Sequence, residues 1–157
     1  MSSYQHRSIN YTVPGIARSK KNSSRIVNIK GRSIIIPSEA YKKYEAMAGQ
    51  YLRPKPEKPI DYPVEVTCIY LLPCNKDGSK PKRKIDLVNL LGATHDILTH
   101  HGILADDNAN IIVSVDGSRV YFVRHDPKTI ITITELENTD AEIPCRDRAE
   151  GNGETES

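Results

Sequence analysis

The chain has 157 residues, of which 38% are hydrophobic and 27% are charged, with a formal net charge of +2. This length fits one domain with a modest core, and no apolar run is long enough to span a membrane. The three cysteines lack zinc-site spacing, and neither a signal peptide nor a glycine-rich phosphate loop is present, so we expect a cytoplasmic protein without membrane contact or an organic cofactor.

The small net charge hides an uneven distribution along the chain. Residues 1–38 contain no Asp or Glu but several Arg and Lys residues, whereas acidic residues outnumber basic ones after Leu136. A basic end suits a polyanion such as DNA. The polar, acidic segment 137–157 predicts a disordered tail, which leaves residues 1–136 as the expected folded domain.

In chain order, the first half is predicted to contain a strand, a hairpin, a helix, an extended proline-rich connector and a second long strand, at residues 8–13, 25–36, 38–48, 54–63 and 64–72. Lys30-Gly31 marks the hairpin turn, and Ser38 is a typical helix N-cap. The alternation in residues 64–72 predicts one buried face on that strand.

The second half begins with a polar loop at 73–84, followed by an amphipathic helix over 86–101 that ends at Gly102. Strands are predicted at 111–115, 119–123 and 129–134, with Asp116-Gly117 as a hairpin turn. This order of elements predicts an α+β fold with a mixed β-sheet covered by two main helices.

Acidic residues flank the second helix. Asp86 and Asn89 lie in its first turn, and Asp106 and Asp107 follow its end. Oxygen ligands of this kind suit Mg²⁺, so we expect Asp86, Asp106 and Asp107 to be metal ligands and to act in catalysis with Asn89. The alternatives are a solvated, dipole-favoured Asp86 and a simple turn at the doublet. Roles for Asp96, on the same helical stripe, and for Asp116 stay open.

Two basic loops accompany these acids. The first contributes Lys20, Lys21 and Asn22, and the second, directly before Asp86, contributes Lys82, Arg83 and Lys84. Charge runs are often only solvated surface, but cations beside an acidic cluster are what a phosphodiester backbone requires. We therefore expect both loops to contact DNA.

The segment from Lys84 to Asp107 resembles the RusA family of Holliday-junction resolvases. The shared features are a basic residue, Asp86-Leu-x-Asn89-Leu, a helix, Gly102-Ile-Leu and the Asp-Asp doublet, and the resemblance covers most of residues 8–136. Pro14-Gly15 and the polar Lys-Lys-Asn-Ser run after it resemble the first strand and loop of the family. The resemblance implies a dimeric, Mg²⁺-dependent endonuclease of the phage and prophage type.

Family residues carry over only where the positions match. The first catalytic Asp of the family matches Asp86 and the last matches Asp107, while the second Asp falls on Val88 and a lysine falls on Gly92. Valine cannot ligate a metal and glycine supplies no cation. Either the site has been rearranged around residues such as Asn89 and Asp96, or cleavage has been lost.

We therefore expect a homodimeric Mg²⁺-dependent endodeoxyribonuclease that cleaves branched DNA in recombination and repair. One alternative is a catalytically inactive protein that binds junctions or other DNA on the same scaffold. A third interpretation, a small structural or assembly protein with incidental charge, predicts no DNA affinity.

Overall fold

A computed structural model describes residues 6–20 and 24–137. Its elements, in chain order, are β1 Ser8–Pro14, β2 Ser24–Ile29, β3 Arg32–Pro37, α1 Glu39–Tyr51, β4 Val64–Pro73, α2 Leu87–His100, β5 Ile112–Ser114, β6 Arg119–Val123 and β7 Lys128–Glu135. They form a single α+β domain with a mixed sheet and two helices, as predicted. The acidic tail lies beyond the described residues, apart from Glu137.

The main sheet is built around β4 and β7. β7 lies between β1 and β4 and is antiparallel to both. The other edge of β4 pairs in parallel with two short strands, β5 beside its start and β6 beside its end. Both kinds of pairing therefore occur in one five-stranded sheet.

The interpretation of Asp116-Gly117 as a hairpin turn is wrong. β5 and β6 pair with β4 in the same direction, so the chain does not reverse between them. The turn instead docks on β4, where the Asp116 carbonyl accepts a hydrogen bond from the Thr67 hydroxyl at 2.8 Å and the Ser118 hydroxyl accepts one from the Cys68 N–H at 3.0 Å. Between β5 and β6, these two bonds take the place of backbone ladder bonds to β4. β6 then continues along the same edge of β4.

The core lies on one face of the main sheet. Side chains along β4 alternate between buried and half-buried, which confirms the predicted buried face containing Val66, Cys68 and Tyr70. The Tyr70 hydroxyl lies 2.6 Å from the Thr94 hydroxyl of α2. This bond satisfies two buried polar groups at once and holds α2 on the sheet.

The N-terminal half adds a separate hairpin and α1. β2 and β3 form their own two-stranded sheet, with positive φ at Lys30 and Gly31, as expected for a tight hairpin turn. Ile26 and Ile35 face each other on it, and each is about 70% exposed. Ser38 caps α1 as predicted, accepting the Tyr41 N–H at 3.2 Å. Neither helix of the described residues has the length and apolarity to cross a membrane.

Candidate functional site

Helix α2 begins at a carboxylate. The Asp86 side chain accepts the Val88 N–H at 2.9 Å and is exposed. An N-cap Asp satisfies a backbone donor and meets the positive end of the helix dipole. Asn89 lies in the first turn and is half-buried. Asp86 therefore has a structural role whether or not it also binds metal.

Asp106 organises the loop after α2. Its carboxylate accepts the Asp107 N–H at 2.8 Å and the side-chain amide of Asn108 at 3.0 Å. These hydrogen bonds lower the pKa of Asp106 by favouring its charged form. The alternative interpretation of the Asp106-Asp107 doublet was a simple turn, and Asp106 does form such a turn.

Asp107 points at the third turn of α2 and contacts Asp96. A hydrogen bond between their carboxyl groups is the largest cause that raises the pKa of Asp107, followed by burial and by Asp106. Two carboxyl groups can share such a bond only when one of them holds a proton. On its other side, Asp96 forms an ion pair with Lys20 Nζ at 3.1 Å.

These groups line an open cleft of about 380 Å³ between α1, α2 and the residue-20 loop. We call it the acid cleft, and its lining consists of Lys20, Tyr41, Lys42, Glu45, Asp96, Thr99, His100 and Asp107. Glu45 Oε1 lies 3.7 Å from His100 Nε2. Tyr41 is 1% exposed, and burial, with contributions from Glu45 and Asp96, raises its pKa.

Asp86 and Asp107 are not brought together within one chain. Asp107 contacts Asp96, and Asp96 is ten positions after Asp86, which is about 15 Å along the helix axis. One ion cannot bind both carboxylates across that distance. Across residues 6–20 and 24–137, no three Asp, Glu, His or Cys side chains converge with the geometry of a metal site.

The two positions that depart from the RusA pattern face open space. Val88 is 73% exposed. A side chain added at Gly92 would meet no atom within 4 Å. Longer or charged residues at either position would therefore fit without rearrangement of the helix.

The basic loops meet beside the start of α2. Arg18 and Arg83 both line a groove of about 180 Å³, together with Ser19, Pro81, Ile85 and Leu90. We call this the basic groove. Lys82 and Lys84 are exposed on the same loop as Arg83. Of the first loop, Lys20 is described and lies in the acid cleft, while Lys21 and Asn22 fall outside the described residues.

Sequence reasoning did not identify Tyr41 or Glu45 as site residues. Tyr41 and Glu45 are four residues apart and therefore share one face of α1. The signal that could have found them is this i, i+4 pair. It becomes informative only once α1 is known to pack beside α2.

Comparison with known proteins gives one family match. The family model described as endodeoxyribonuclease RusA matches residues 14–134, which is most of the chain. The matched range includes both basic loops, Asp86 and the doublet. No match was found among the curated proteins.

Proposed function

The chain belongs to the RusA endodeoxyribonuclease family, and from this membership we propose that it is a Mg²⁺-dependent nuclease that cleaves branched DNA in recombination and repair. The observation that carries the proposal is the family match over residues 14–134. It spans every described acidic and basic residue that the sequence assigns to the site. Family membership implies DNA as the partner.

The donor chemistry of the site fits Mg²⁺. This ion is usually held by one or two carboxylates, and water and substrate phosphates complete its shell. Asp107 and Asp86 of the partner subunit would hold it, while Asp106 and Asn89 would orient the loop and the first turn of α2. When bound, the ion supplies positive charge for the scissile phosphate and its attacking water.

Positive side chains of the chain would hold the DNA backbone. Lys82, Arg83 and Lys84 precede Asp86 directly, so a phosphate in the basic groove lies near the start of α2. Lys20, Lys21 and Asn22 would hold an adjacent stretch. Phosphate contacts of this type position DNA without reading its sequence.

A two-fold homodimer is part of the proposal. A four-way junction offers two symmetry-related strands, and a C₂ dimer provides two equivalent sites. The separation of Asp86 from Asp107 within one chain supports the same arrangement, because a dimer can bring acidic residues of different subunits to one phosphate.

Val88 and Gly92 favour a second candidate function. A chain lacking a carboxylate and a lysine at these positions can still bind junctions without cutting them. The retained Asp107 argues against this alternative, because a carboxylate repels phosphate and a protein that only binds DNA does not need it.

One cleavage assay separates the two functions. The full chain is incubated with a labelled synthetic four-way junction, with Mg²⁺ or with EDTA, and with a linear duplex of the same sequence as control. We expect paired nicks near the branch point of the junction only when Mg²⁺ is present. Junction binding without cleavage would support the binding protein, and absence of both would contradict a role on branched DNA.

A further inference from the structure

The hairpin of β2 and β3 exposes aliphatic side chains that the proposed reaction does not use. Residues 26–36 are mostly exposed. Ile26 and Ile35 are exposed at 71% and 70%, and Ile29 and Ile34 at 49% and 42%. We propose that one face of this hairpin packs on the same face of a second copy of the chain and that this contact holds the homodimer together. The inference rests on the proposed function only for the expectation of a dimer.

The hairpin lacks the support that short strands normally receive. Within the part of the chain that the structure describes, β2 and β3 pair with each other and not with the main sheet. A two-stranded hairpin alone is only marginally stable in water and needs further strands or a packed layer. Contact with a second hairpin supplies that layer and removes exposed aliphatic side chains from water.

One face of the hairpin is apolar and uncharged. Successive side chains of a strand point to opposite faces, so the cross-strand pairs Ile26–Ile35 and Asn28–Ser33 share one face. The Ser33 hydroxyl donates a hydrogen bond to Asn28 Oδ1 at 2.9 Å, and this polar pair therefore satisfies part of its own hydrogen bonding. We call the face defined by these four residues the isoleucine face.

The charge pattern identifies a second copy, and not DNA, as the occupant of the isoleucine face. DNA is bound through cations that meet its phosphates. The isoleucine face has none, since Arg32 lies on the opposite face and Lys30 lies in the turn. A two-fold interface brings the same patch of both subunits together, so a charged patch would meet its own sign. A neutral apolar face avoids that repulsion.

Both ends of the hairpin connect to elements that line the acid cleft. β2 begins four residues after Lys20, which lines the cleft, and β3 ends directly before Ser38, the N-cap of α1. A partner bound to the isoleucine face is thus anchored on the side of the molecule that contains Asp107. This position agrees with a site that combines Asp107 with Asp86 of the partner subunit.

The size of the hairpin sets the expected strength of the dimer. A standard interface uses about 20–30 residues of each partner, and the hairpin supplies about half of that number. Interfaces at this small end of the range are transient. We therefore expect a reversible dimer that dissociates on dilution.

Sedimentation velocity of the full chain over a dilution series, without DNA or metal, tests the proposal. We expect Ile35→Thr to raise the dissociation constant of the dimer at least about tenfold, because each dimer loses two buried isoleucine side chains. Threonine is also β-branched and favours strands, so the hairpin itself is retained. Ile34→Thr is the matched control, since this neighbouring isoleucine points to the opposite face, and it should leave the dissociation constant unchanged.

A second variant guards against loss of folding. Asn28→Val together with Ser33→Val extends the apolar surface of the isoleucine face and should tighten the dimer about tenfold. Sedimentation distinguishes a discrete dimer from aggregates, and a misfolded chain does not form a tighter discrete dimer.

The outcomes separate this interface from the proposed function. An unchanged dimer in Ile35→Thr, or equal weakening by Ile34→Thr, would overturn the proposal and leave the homodimer of the proposed function intact. A wild type that stays monomeric at every concentration would overturn both the interface and the homodimer, while the junction cleavage assay tests the nuclease separately. Loss of junction affinity in Ile35→Thr without a change in the dimer would assign the face to DNA and would also overturn the proposal.

Discussion

Asp107 lowers the stability of the fold at neutral pH, although the proposed reaction needs its carboxylate. Its carboxyl group shares a hydrogen bond with that of Asp96, and this contact raises its pKa. Because the pKa is higher in the folded chain than the unfolded value of 3.8, the protonated carboxyl stabilises the fold at pH values below 3.8. This stabilisation is lost as the pH rises through the pKa of the folded state. At neutral pH, Asp107 therefore costs stability.

We expect Asp107→Asn to abolish cleavage, to leave junction binding nearly intact and to stabilise the fold slightly at pH 7. The amide keeps a hydrogen bond to Asp96 and removes the repulsion, with a gain of no more than about 0.5 kcal/mol because the site is exposed. The measurements are junction cleavage with Mg²⁺, a gel-shift titration, and thermal melting at pH 4 and pH 7.

The melting difference between variant and wild type should shrink as the pH is lowered from 7 to 4, because protonation of the Asp107 carboxyl, whose pKa is raised, removes the repulsion. Asp77→Asn is a suitable control, because Asp77 bonds only within its own exposed turn and its pKa is lowered. Cleavage by Asp107→Asn at the wild-type rate would mean that the Asp106-Asp107 doublet is only a turn and has no role in the reaction.

At the scale of elements, local patterns were sufficient to predict much of α2 and β4. Asp86 caps the helix, Gly102 adopts a positive φ just after it, and β4 buries the predicted face. Each of these depends on residues within one turn or one strand, so spacing alone carries the information.

The meeting of Asp107 with Asp96 was not predictable in this way. After α2 the chain doubles back, with Ile103 N–H donating to Leu98 O at 2.9 Å. Ile60, from the proline-rich connector, donates to Ile103 O at 2.9 Å and accepts from Ala105 N–H at 2.9 Å. This tertiary pairing sets where the doublet lies, and no spacing in the sequence encodes it. The parallel pairing of β5 and β6 with β4 was not predicted for the same reason.

The loop before α2 supplies an element-scale prediction. Replacing Lys82, Arg83 and Lys84 by Ala should weaken binding to all DNA sequences alike and flatten the slope of log K against log salt by about one unit per lost phosphate contact. Binding is measured between low and physiological salt on a junction and a duplex. A matched control replaces three exposed lysines of other segments, Lys43, Lys55 and Lys58. An unchanged slope in the first variant would place the DNA elsewhere.

Helix α2 also allows a test of whether its departures from the family pattern matter. Val88→Asp together with Gly92→Lys restores the family residues at positions where the structure offers room. A carboxylate near the helix N-terminus meets the dipole, and Lys replaces a poor helix former, so we expect a gain of about 1 kcal/mol in stability. Cleavage should rise, or appear if the wild type has none.

The control for that variant is Val88→Asn with Gly92→Gln, which has similar size and helix propensity but no charge. Equal cleavage rates in the charged and neutral variants would mean that the restored charges do not act in the reaction. A loss of stability in both would instead point to a packing role for Val88 that its exposure does not suggest.

At the scale of the whole molecule, the single domain keeps two of its candidate site carboxylates, Asp86 and Asp107, apart. Asp86 lies at one end of α2, while the acid cleft lies about 15 Å further along the helix. If cleavage requires both Asp86 and Asp107, the two must meet across a dimer. Each active site would then combine Asp86 from one subunit with Asp107 of the partner subunit.

Heterodimers with two different tags test this arrangement directly. One pairs an Asp86→Asn chain with an Asp107→Asn chain, and the other pairs a wild-type chain with a chain carrying both substitutions. For sites shared between subunits, the first heterodimer keeps one intact site and should nick one strand of the junction, whereas the second keeps none. Sites built within one chain predict the reverse, because only the second then has an intact chain. Each heterodimer carries the same two substitutions in total, so stability and tag effects are matched, and the comparison of nicking rates assigns Asp86 and Asp107 to one subunit or to two.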